Sequence, residues 1–547
     1  MKRQWQVLSL LAAMALLYLV FPTRTHEYDA MCYATAALGG EHWLATDPGH
    51  LGFSPLEIPA ASIGRRVHPP LSPVLLLQYL SMVAGLAGIY AFHRSLTSLG
   101  TSAGRAAVFA GILGCTYAYW HFALQAESHL LSTAFLLFFL LHFTRLLGSR
   151  SPGTAAWAGA LLGLATLMHQ KNILLVAPAL IALPVAVRGR RQLAAVAGMF
   201  LAAYGVVAIL PYLVAALGVV GLRTIPDLRE WILGLRTLCV WNHGAWGHWT
   251  SRTLPLTAEA IVRSLVGSDF VLGLDPIRAL AARLSPSMSM DDELAVAATV
   301  PPALRVVLFL LEAALLVLAV AALARRTASL KTLFSRHAAL ATFLVAWVLV
   351  LGVFSAWWVP WRLEFWIDLF PPLLLLLALP LDQDPERGGG RLRAAGAFLL
   401  ALATVNFFGS IRPESLPTTD ASTNLAVALD ATIQPGSTIL ADGPLCGRAS
   451  RYPRVFVPAG PLDGFAPGAV PPPAVIFHRV DSLLAAADSA GRSVYLVATP
   501  LAPEAIRKAA YRRLVASLAA RYQLGEKVPI RAALEVRRIQ RRPPVLR

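Results

Sequence analysis

Charge is scarce in this chain. Asp, Glu, Lys and Arg make up 14% of 547 residues, and 56% are hydrophobic. A soluble globular chain carries about 25% charged residues. Mean hydropathy is +0.60. This excludes an ordinary soluble fold and indicates a membrane-embedded region with room for a second domain. Cysteine is scarce too. Cys32, Cys115, Cys239 and Cys446 are scattered, and no C-x-x-C occurs, which argues against a thiol zinc or redox motif. Three of them lie outside the membrane on the topology below, but sequence alone assigns no disulfide. There is no internal repeat and no low-complexity linker. The net charge of +17 would suit nucleic acid. The basic residues, however, fall in short clusters between apolar runs, as membrane orientation requires. A nucleic-acid partner is therefore not expected.

What the chain has is long apolar runs. Spans are expected at 6–22, 72–92, 104–121, 129–147, 154–168, 172–187, 192–218, 303–324, 338–357, 364–380 and 394–410, about eleven transmembrane helices. Several fall short of the ~20 residues that a span ideally needs. The pair 154–168 and 172–187 is interrupted by His169-Gln170-Lys171-Asn172. Both its flanks are basic, Arg145/Arg150 before and Arg188/Arg190/Arg191 after, so an even number of crossings lies between them. Lys2-Arg3, Arg94, Arg325/Arg326/Lys331/Arg336 and Arg387/Arg391/Arg393 complete an alternating series. The first loop, with Arg24, Arg65 and Arg66, is a mild exception. The series places the N-terminus inside and the C-terminus outside. Lys2-Arg3 and the run Val7–Phe21 resemble a signal peptide, but no small-x-small cleavage site follows, so an uncleaved first helix is expected.

Two long outer segments stand apart, 23–71 and 219–302. In the second, Trp231, Ile232, Leu235 and Leu238 have the spacing of a helix lying on the membrane surface. Trp241–Trp249 reads as an aromatic interfacial loop; its histidines lack the closed spacing of a structural metal site. After about 412 the texture changes. β-Branched runs at Ser437–Ala441, Arg454–Pro458, Ala474–His478 and Ser493–Ala498 alternate with helical stretches near 421–432, 481–490 and 503–520. This predicts a transmembrane domain over 1–411 and a small extracytoplasmic α/β domain over 412–547. No Gly-rich phosphate loop accompanies those strands, so the tail is not assigned catalysis.

Polar residues gather at the outer ends of the spans. They are Glu27, Asp29 and Tyr33 in the first loop, Glu127 and His129 at one turn, His169 and Lys171 at the next, and Arg362, Glu364 and Asp368 at 361–368. Ionisable groups beside hydrocarbon are costly and usually face a cavity. A carboxylate can take a proton from a hydroxyl or amine nucleophile. Lys and Arg can hold phosphate, and a guanidinium does so with a fixed fork. Each of these residues taken alone is commonly a solvated or snorkelling helix-end charge; their clustering carries the argument.

At these residues a resemblance appears. Asp29-Ala-Met-Cys-Tyr33 resembles the D-[E]-x-x-Y stretch opening the first outer loop of GT-C glycosyltransferases. That superfamily includes protein O-mannosyltransferases and lipid A aminoarabinose transferases. His68-Pro69-Pro70-Leu71 is similar to their [KH]-P-P-L, and Gln125–His129 to their second outer acidic site. His169–Asn172 is similar to their T-K-x loop, and Trp361–Trp366 running into Pro371-Pro372 to their R-Y/F…P-P segment. Two departures stand out: Ala30 replaces the usual second acid, and His68 replaces Lys. The resemblance implies a polyprenyl-phosphate-linked sugar as donor and transfer with inversion to a lipid, glycan or protein acceptor. It implies Asp29, or else Glu27, as base, with Glu127 positioning the acceptor or assisting. Arg362, with Lys171 and His68, would hold the donor phosphate; Tyr33, His129, His169 and Glu364 would line the substrate cavity. No metal ligand and no cofactor is assigned; members differ in their use of a divalent cation, which stays open. The expected location is the bacterial inner membrane. A lipid or glycan transporter or flippase is the competing class, and a non-catalytic assembly protein of the same fold the third. Transporters often show repeats and midplane-broken helices, and neither is seen here.

Overall fold

The structure is a computed structural model. It describes residues 2–26, 29, 30, 33, 47–67, 73–232, 247, 249–284, 291–379, 385–419, 433, 437–441, 456–458, 473–498, 505–528 and 535–541. Glu27, His68, nearly all of the aromatic loop at 241–249 and the helix expected at 421–432 lie outside the described residues.

Among the described residues, six helices are long and apolar enough to cross a membrane: Val74–Ser98, His129–Ser149, Arg190–Val219, Pro302–Ala324, Phe334–Trp358 and Leu392–Glu414. Shorter apolar helices run over Trp5–Val20, Ala103–Cys115, Pro152–Met168 and Gln170–Ala186. The chain is an integral membrane protein. The stretch Pro302–Trp358 is two helices that meet at a kink, where His337 has non-helical angles (φ −134°, ψ 46°).

The doubtful pair at 154–187 is two helices. His169 is extended (φ −153°, ψ 113°) and ends the first, and a 3-10 stretch, Gln170–Leu175, leads into the second. The span expected at 364–380 is built differently. Two 3-10 turns, Leu363–Phe365 and Ile367–Leu369, precede a short helix, Phe370–Ala378. Pro371 and Pro372 explain this. Proline is tolerated in a helix's first turn and not within it, so the helix starts there. The preceding residues fold as a tight buried loop instead.

Most of the bundle forms one apolar core, in which Phe139, Phe143, Phe343 and Trp347 pack ring against ring at centroid distances of 4.3–6.4 Å. Helix Pro152–Met168 presses on Arg190–Val219 through glycine. A Cβ on Gly159 would come 2.1 Å from the carbonyl oxygen of Phe200, and one on Gly163 would lie 2.9 Å from Val207 Cβ. Small residues permit this backbone approach, as in many membrane helix pairs. Opposite the core, Leu310, Val317 and Val320 are exposed, as lipid-facing residues should be. Of the helix expected on the membrane surface, Trp231 and Ile232 end a helix over Ile225–Ile232, while Leu235 and Leu238 lie outside the described residues. Trp231 is buried against Tyr212, with ring centroids 6.0 Å apart.

The C-terminal strands form one mixed sheet, order β2-β1-β3-β5-β4. Here β1 is Thr438–Ala441, β2 Phe456–Pro458, β3 Val494–Val497, β4 Gln523–Lys527 and β5 Val536–Gln540. The β1 strand pairs in parallel with β2 and β3, while β5 runs antiparallel to β3 and β4. Helices Pro473–Ser489 and Ala505–Arg521 pack on it through Val480, Leu484, Leu514 and Leu518. The strand expected at Ala474–His478 is a helix. Its β-branched pair misled, whereas Phe477, Val480, Leu484 and Ala487 follow helical spacing onto the sheet. Strands β4 and β5, rich in Arg, Lys and Gln, carried too little apolar alternation to be expected.

Candidate active site

One end of the bundle gathers the polar residues. They reach it from four places: the first loop, the turn 124–128, the turn 169–171 and the loop 361–369. Arg362 lies between two carboxylates. Its Nη2 is 3.5 Å from Asp29 Oδ2, and its Nη1 is 3.3 Å from Glu364 Oε1. The Arg362 and Asp29 side chains are 20% and 36% exposed, and Glu364 is 6% exposed. A long contact between half-exposed charges is worth only about 0–1 kcal/mol. Arg362 can therefore leave Asp29 for an incoming anion at little cost.

Lys171 is held otherwise. Its Nζ is 3.0 Å from Asp368 Oδ2, with both side chains 2% exposed. It also donates to the carbonyl of Glu364 at 3.3 Å and lies 4.7 Å over the Phe365 ring. The other Asp368 oxygen accepts from Thr133 at 2.7 Å. Two of the ammonium's three protons go to these oxygens, and the aromatic face meets the charge from another side. Lys171 thus ties the 361–369 loop to the turn after Pro152–Met168, and Asp368 ties it to the helix His129–Ser149.

Three imidazoles meet beside this pair. The rings of His50, His129 and His169 lie 4.8–5.7 Å apart, bordered by Phe365 and Tyr33. His129 Nε2 is 3.6 Å from Glu127 Oε2. Burial, then the Lys171 charge, pushes His169 well below its ordinary value, so it is a neutral imidazole. Its Nδ1 accepts from the Lys171 backbone N–H at 3.4 Å. Among the described residues, no three His, Cys, Asp or Glu side chains are grouped to hold a metal ion.

His50 and Asp47 were not singled out from the sequence. They sit in Asp47-Pro48-Gly49-His50, where Asp47 Oδ1 caps the Gly49 N–H at 3.0 Å. His50 Nδ1 donates to the Met168 carbonyl at 3.0 Å and lies 2.7 Å from Ser128 Oγ. Tyr212 donates to the Pro48 carbonyl at 2.6 Å. Gly52 N–H bonds Leu167 O at 2.7 Å, and a Cβ on Gly52 would sit 2.6 Å from Met168 Cε. The turn is thereby pinned to the helix end that carries His169 and Lys171. Burial raises the Asp47 carboxyl above its ordinary value; His50 and the Gly49 N–H oppose this and Asp29 adds to it. A turn-forming Asp-Pro-Gly before His was the available signal.

A second polar knot lies on the far side of the first loop's entry. Tyr117 donates to Glu414 at 2.7 Å and lies 3.1 Å from Asp269 Oδ2. His121 Nδ1 is 2.8 Å from Glu414 Oε2, and Arg263 Nη2 is 2.9 Å from Asp269. Burial raises the Asp269 carboxyl above its ordinary value despite Arg263.

The structure thus brings together Asp29, Tyr33, Glu127, His129, His169, Lys171, Arg362 and Glu364. They come from segments up to more than three hundred residues apart, in a helical bundle whose motifs run in one order. Compared with solved structures, the chain aligns with ArnT from Cupriavidus metallidurans bound to undecaprenyl phosphate at TM-score 0.57 and 13% identity, over 97% of each chain. With the apo state of the same protein the TM-score is 0.58 and the identity 12%, over 98% of each chain. Residues 67–214 match the family described as dolichyl-phosphate-mannose-protein mannosyltransferase.

The chain has the GT-C glycosyltransferase fold.

A search of curated protein sequences finds no match. At 12–13% identity the solved structures speak for this fold alone. The segment matching the mannosyltransferase family contains Glu127, His129, His169 and Lys171, and it ends before Arg362. The proteins that this chain resembles by family match and by fold are glycosyltransferases.

Proposed function

We propose that this chain moves a sugar from a polyprenyl-phosphate donor to a lipid, glycan or protein acceptor at the outer face of a bacterial inner membrane, with inversion. The observation that carries the reading is the Asp29–Arg362 contact at 3.5 Å. A proton acceptor and a phosphate-binding fork stand side by side at the end of a membrane bundle, where a lipid headgroup would lie. The name of the ArnT structure supports the donor class, since that protein binds undecaprenyl phosphate.

The chemistry assigned to the residues is an in-line displacement. The acceptor oxygen attacks the anomeric carbon, and its proton passes to Asp29. The bond from that carbon to the phosphate oxygen breaks, and the electron pair leaves with the polyprenyl phosphate. Arg362 pairs with that phosphate as its charge grows, which stabilises the transition state more than the ground state. Binding the donor draws Arg362 from Asp29 and so frees the base. Lys171 stands behind Arg362 and adds positive potential from its place against Asp368. Glu127 lies on the acceptor side with His129; Tyr33 and His169 line the wall. Glu27 and His68 keep the roles read from the sequence, as alternative base and as a further phosphate contact. The N-terminus is assigned to the cytoplasm, and residues 412–547 to an extracytoplasmic α/β domain.

The test is Arg362→Lys in nanodiscs, supplied with undecaprenyl-phosphate-linked sugars and an envelope lipid extract as acceptor. Lysine keeps the charge but cannot copy the fork. Release of undecaprenyl phosphate should fall by about 10–100-fold, in keeping with the loss of one transition-state contact. Wild-type turnover in both Arg362→Lys and Arg362→Ala would return Arg362 to a membrane-interface anchor.

A further inference from the structure

The stretch between the first helix and Asp29 is irregular: residues 22–24 and 26 have no helical or strand structure. Its path is set from outside. Gln78 Nε2 donates to the Thr23 carbonyl at 3.1 Å, and Gln125 Nε2 donates to the Thr25 carbonyl at 2.9 Å. The third hold is Glu414, at the end of the helix Leu392–Glu414 and 1% exposed. Its backbone oxygen accepts from Arg24 N–H at 2.8 Å, and its Oε2 accepts from Thr23 Oγ1 at 3.3 Å. The same carboxylate is fixed by Tyr117 at 2.7 Å and by His121 at 2.8 Å.

We propose that Glu414 is a positioning residue for the transfer reaction, setting where Asp29 stands by clamping Thr23 and Arg24 at the entry to the first loop. This rests on the reading of Asp29 as the base. A buried carboxylate is costly unless its oxygens are satisfied. Glu414 is held by a tyrosine, a histidine and the chain it clamps, so its placement is over-determined. Asp29 follows Thr25 by four residues, and its carboxylate meets the long, flexible side chain of Arg362. The donor side is anchored separately, through Lys171, Asp368 and Thr133. Disturbing Glu414 should therefore move the base and leave donor binding in place. Tyr117 has a single hydroxyl proton and also faces Asp269, so the clamp extends to the segment Asp269–Gly273, with Arg263 neutralising Asp269.

Glu414→Gln keeps the shape and one acceptor but puts an amide NH₂ where an acceptor faces Thr23 or Tyr117. Thr23→Val removes the hydroxyl from the other side and leaves the carboxylate intact. Both are measured on the full chain in nanodiscs with undecaprenyl-phosphate-linked sugars and envelope lipid extract. A displacement of about 1 Å can cost about 10²-fold in rate. In Glu414→Gln, kcat should fall by about 10–100-fold with KM for the donor within about twofold. Thr23→Val should move kcat in the same direction by a smaller factor. Combined with Asp29→Asn, Glu414→Gln should add no further loss, because it acts through that residue. A full additional loss in the double variant overturns the proposal. So does an unchanged kcat in both single variants accompanied only by a lower melting temperature. If Asp29→Asn alone turns over like the wild type, the base assignment itself fails; if Asp29→Asn is inactive while Glu414→Gln and Thr23→Val are normal, the positioning role alone fails.

Discussion

Two polar groups occupy the same end of this bundle and are built on opposite terms. Around Arg362 the contacts are 3.3 and 3.5 Å, and the Arg362 and Asp29 side chains keep access to solvent. Around Lys171 and Asp368 they are 2.7, 3.0 and 3.3 Å, and both side chains are 2% exposed. A long, wet ion pair exchanges partners readily. A dry, close one does not, because breaking it leaves an uncompensated charge. The difference teaches which charges can take part in a displacement and which hold the frame around it.

The largest effect should come from the open group. Asp29→Asn should lower transfer by about 10²–10⁴-fold, the usual contribution of a general base, with the fold intact by circular dichroism and melting temperature. Glu27→Gln should cost less; if it abolishes transfer and Asp29→Asn does not, the two carboxylates exchange roles. The closed group should fail in stability instead. Lys171→Met strands the Asp368 carboxylate and should cost about 3–5 kcal/mol of unfolding free energy. The double variant Lys171→Met/Asp368→Leu should recover part of that loss, measured by denaturant unfolding in detergent. An Asp368 that tolerates Lys171→Met without loss would erase the contrast drawn above.

The smallest effect concerns Asp47, whose carboxyl feels the neighbouring His50 and Asp29. Burial raises its carboxyl in the folded chain. The unfolded value is about 3.9. The folded chain therefore holds this proton more tightly, and the stabilisation it contributes is complete below about pH 4 and lost as pH rises through the folded value. Asp47→Asn should flatten that slope in melting temperatures taken from pH 4 to 7. An unchanged slope would place the titration elsewhere.

How much of this was legible in the sequence varied with the range of the interaction. The membrane class followed from composition, and the break at His169–Asn172 from four polar residues between apolar runs. Arg362, Glu364 and Asp368 were visible as charges at a span end. That Arg362 makes long, solvent-accessible contacts while Lys171 is buried in a close pair was not visible, since it depends on Thr133 reaching the loop from another helix. The 3-10 turns before Phe370 were foreshadowed by Pro371-Pro372 but were read as helix because the apolar run is continuous. Glu414 could not be found at all: its partners Thr23, Tyr117 and His121 are about three to four hundred residues away, and no local pattern reports such a meeting. In the tail, two β-branched residues outweighed a helical period at Ala474–His478, while β4 and β5 are too polar to announce themselves.

The glycine contacts at Gly159 and Gly163 have a mechanical consequence. Helix Pro152–Met168 ends where His169 and Lys171 begin, about 14 Å along its axis from Gly159 at 1.5 Å per residue. Gly159 is the fulcrum of a stiff rod whose far tip carries the active-site turn. An alanine there must push the rod off Phe200, and the tip must tilt or slide with it. The geometry of the candidate site can thus be tuned from the helix seam at Gly159 and Gly163, by residues that lie outside the site. Variation in substrate size among chains of this architecture should be sought in that seam as well as in the cavity wall.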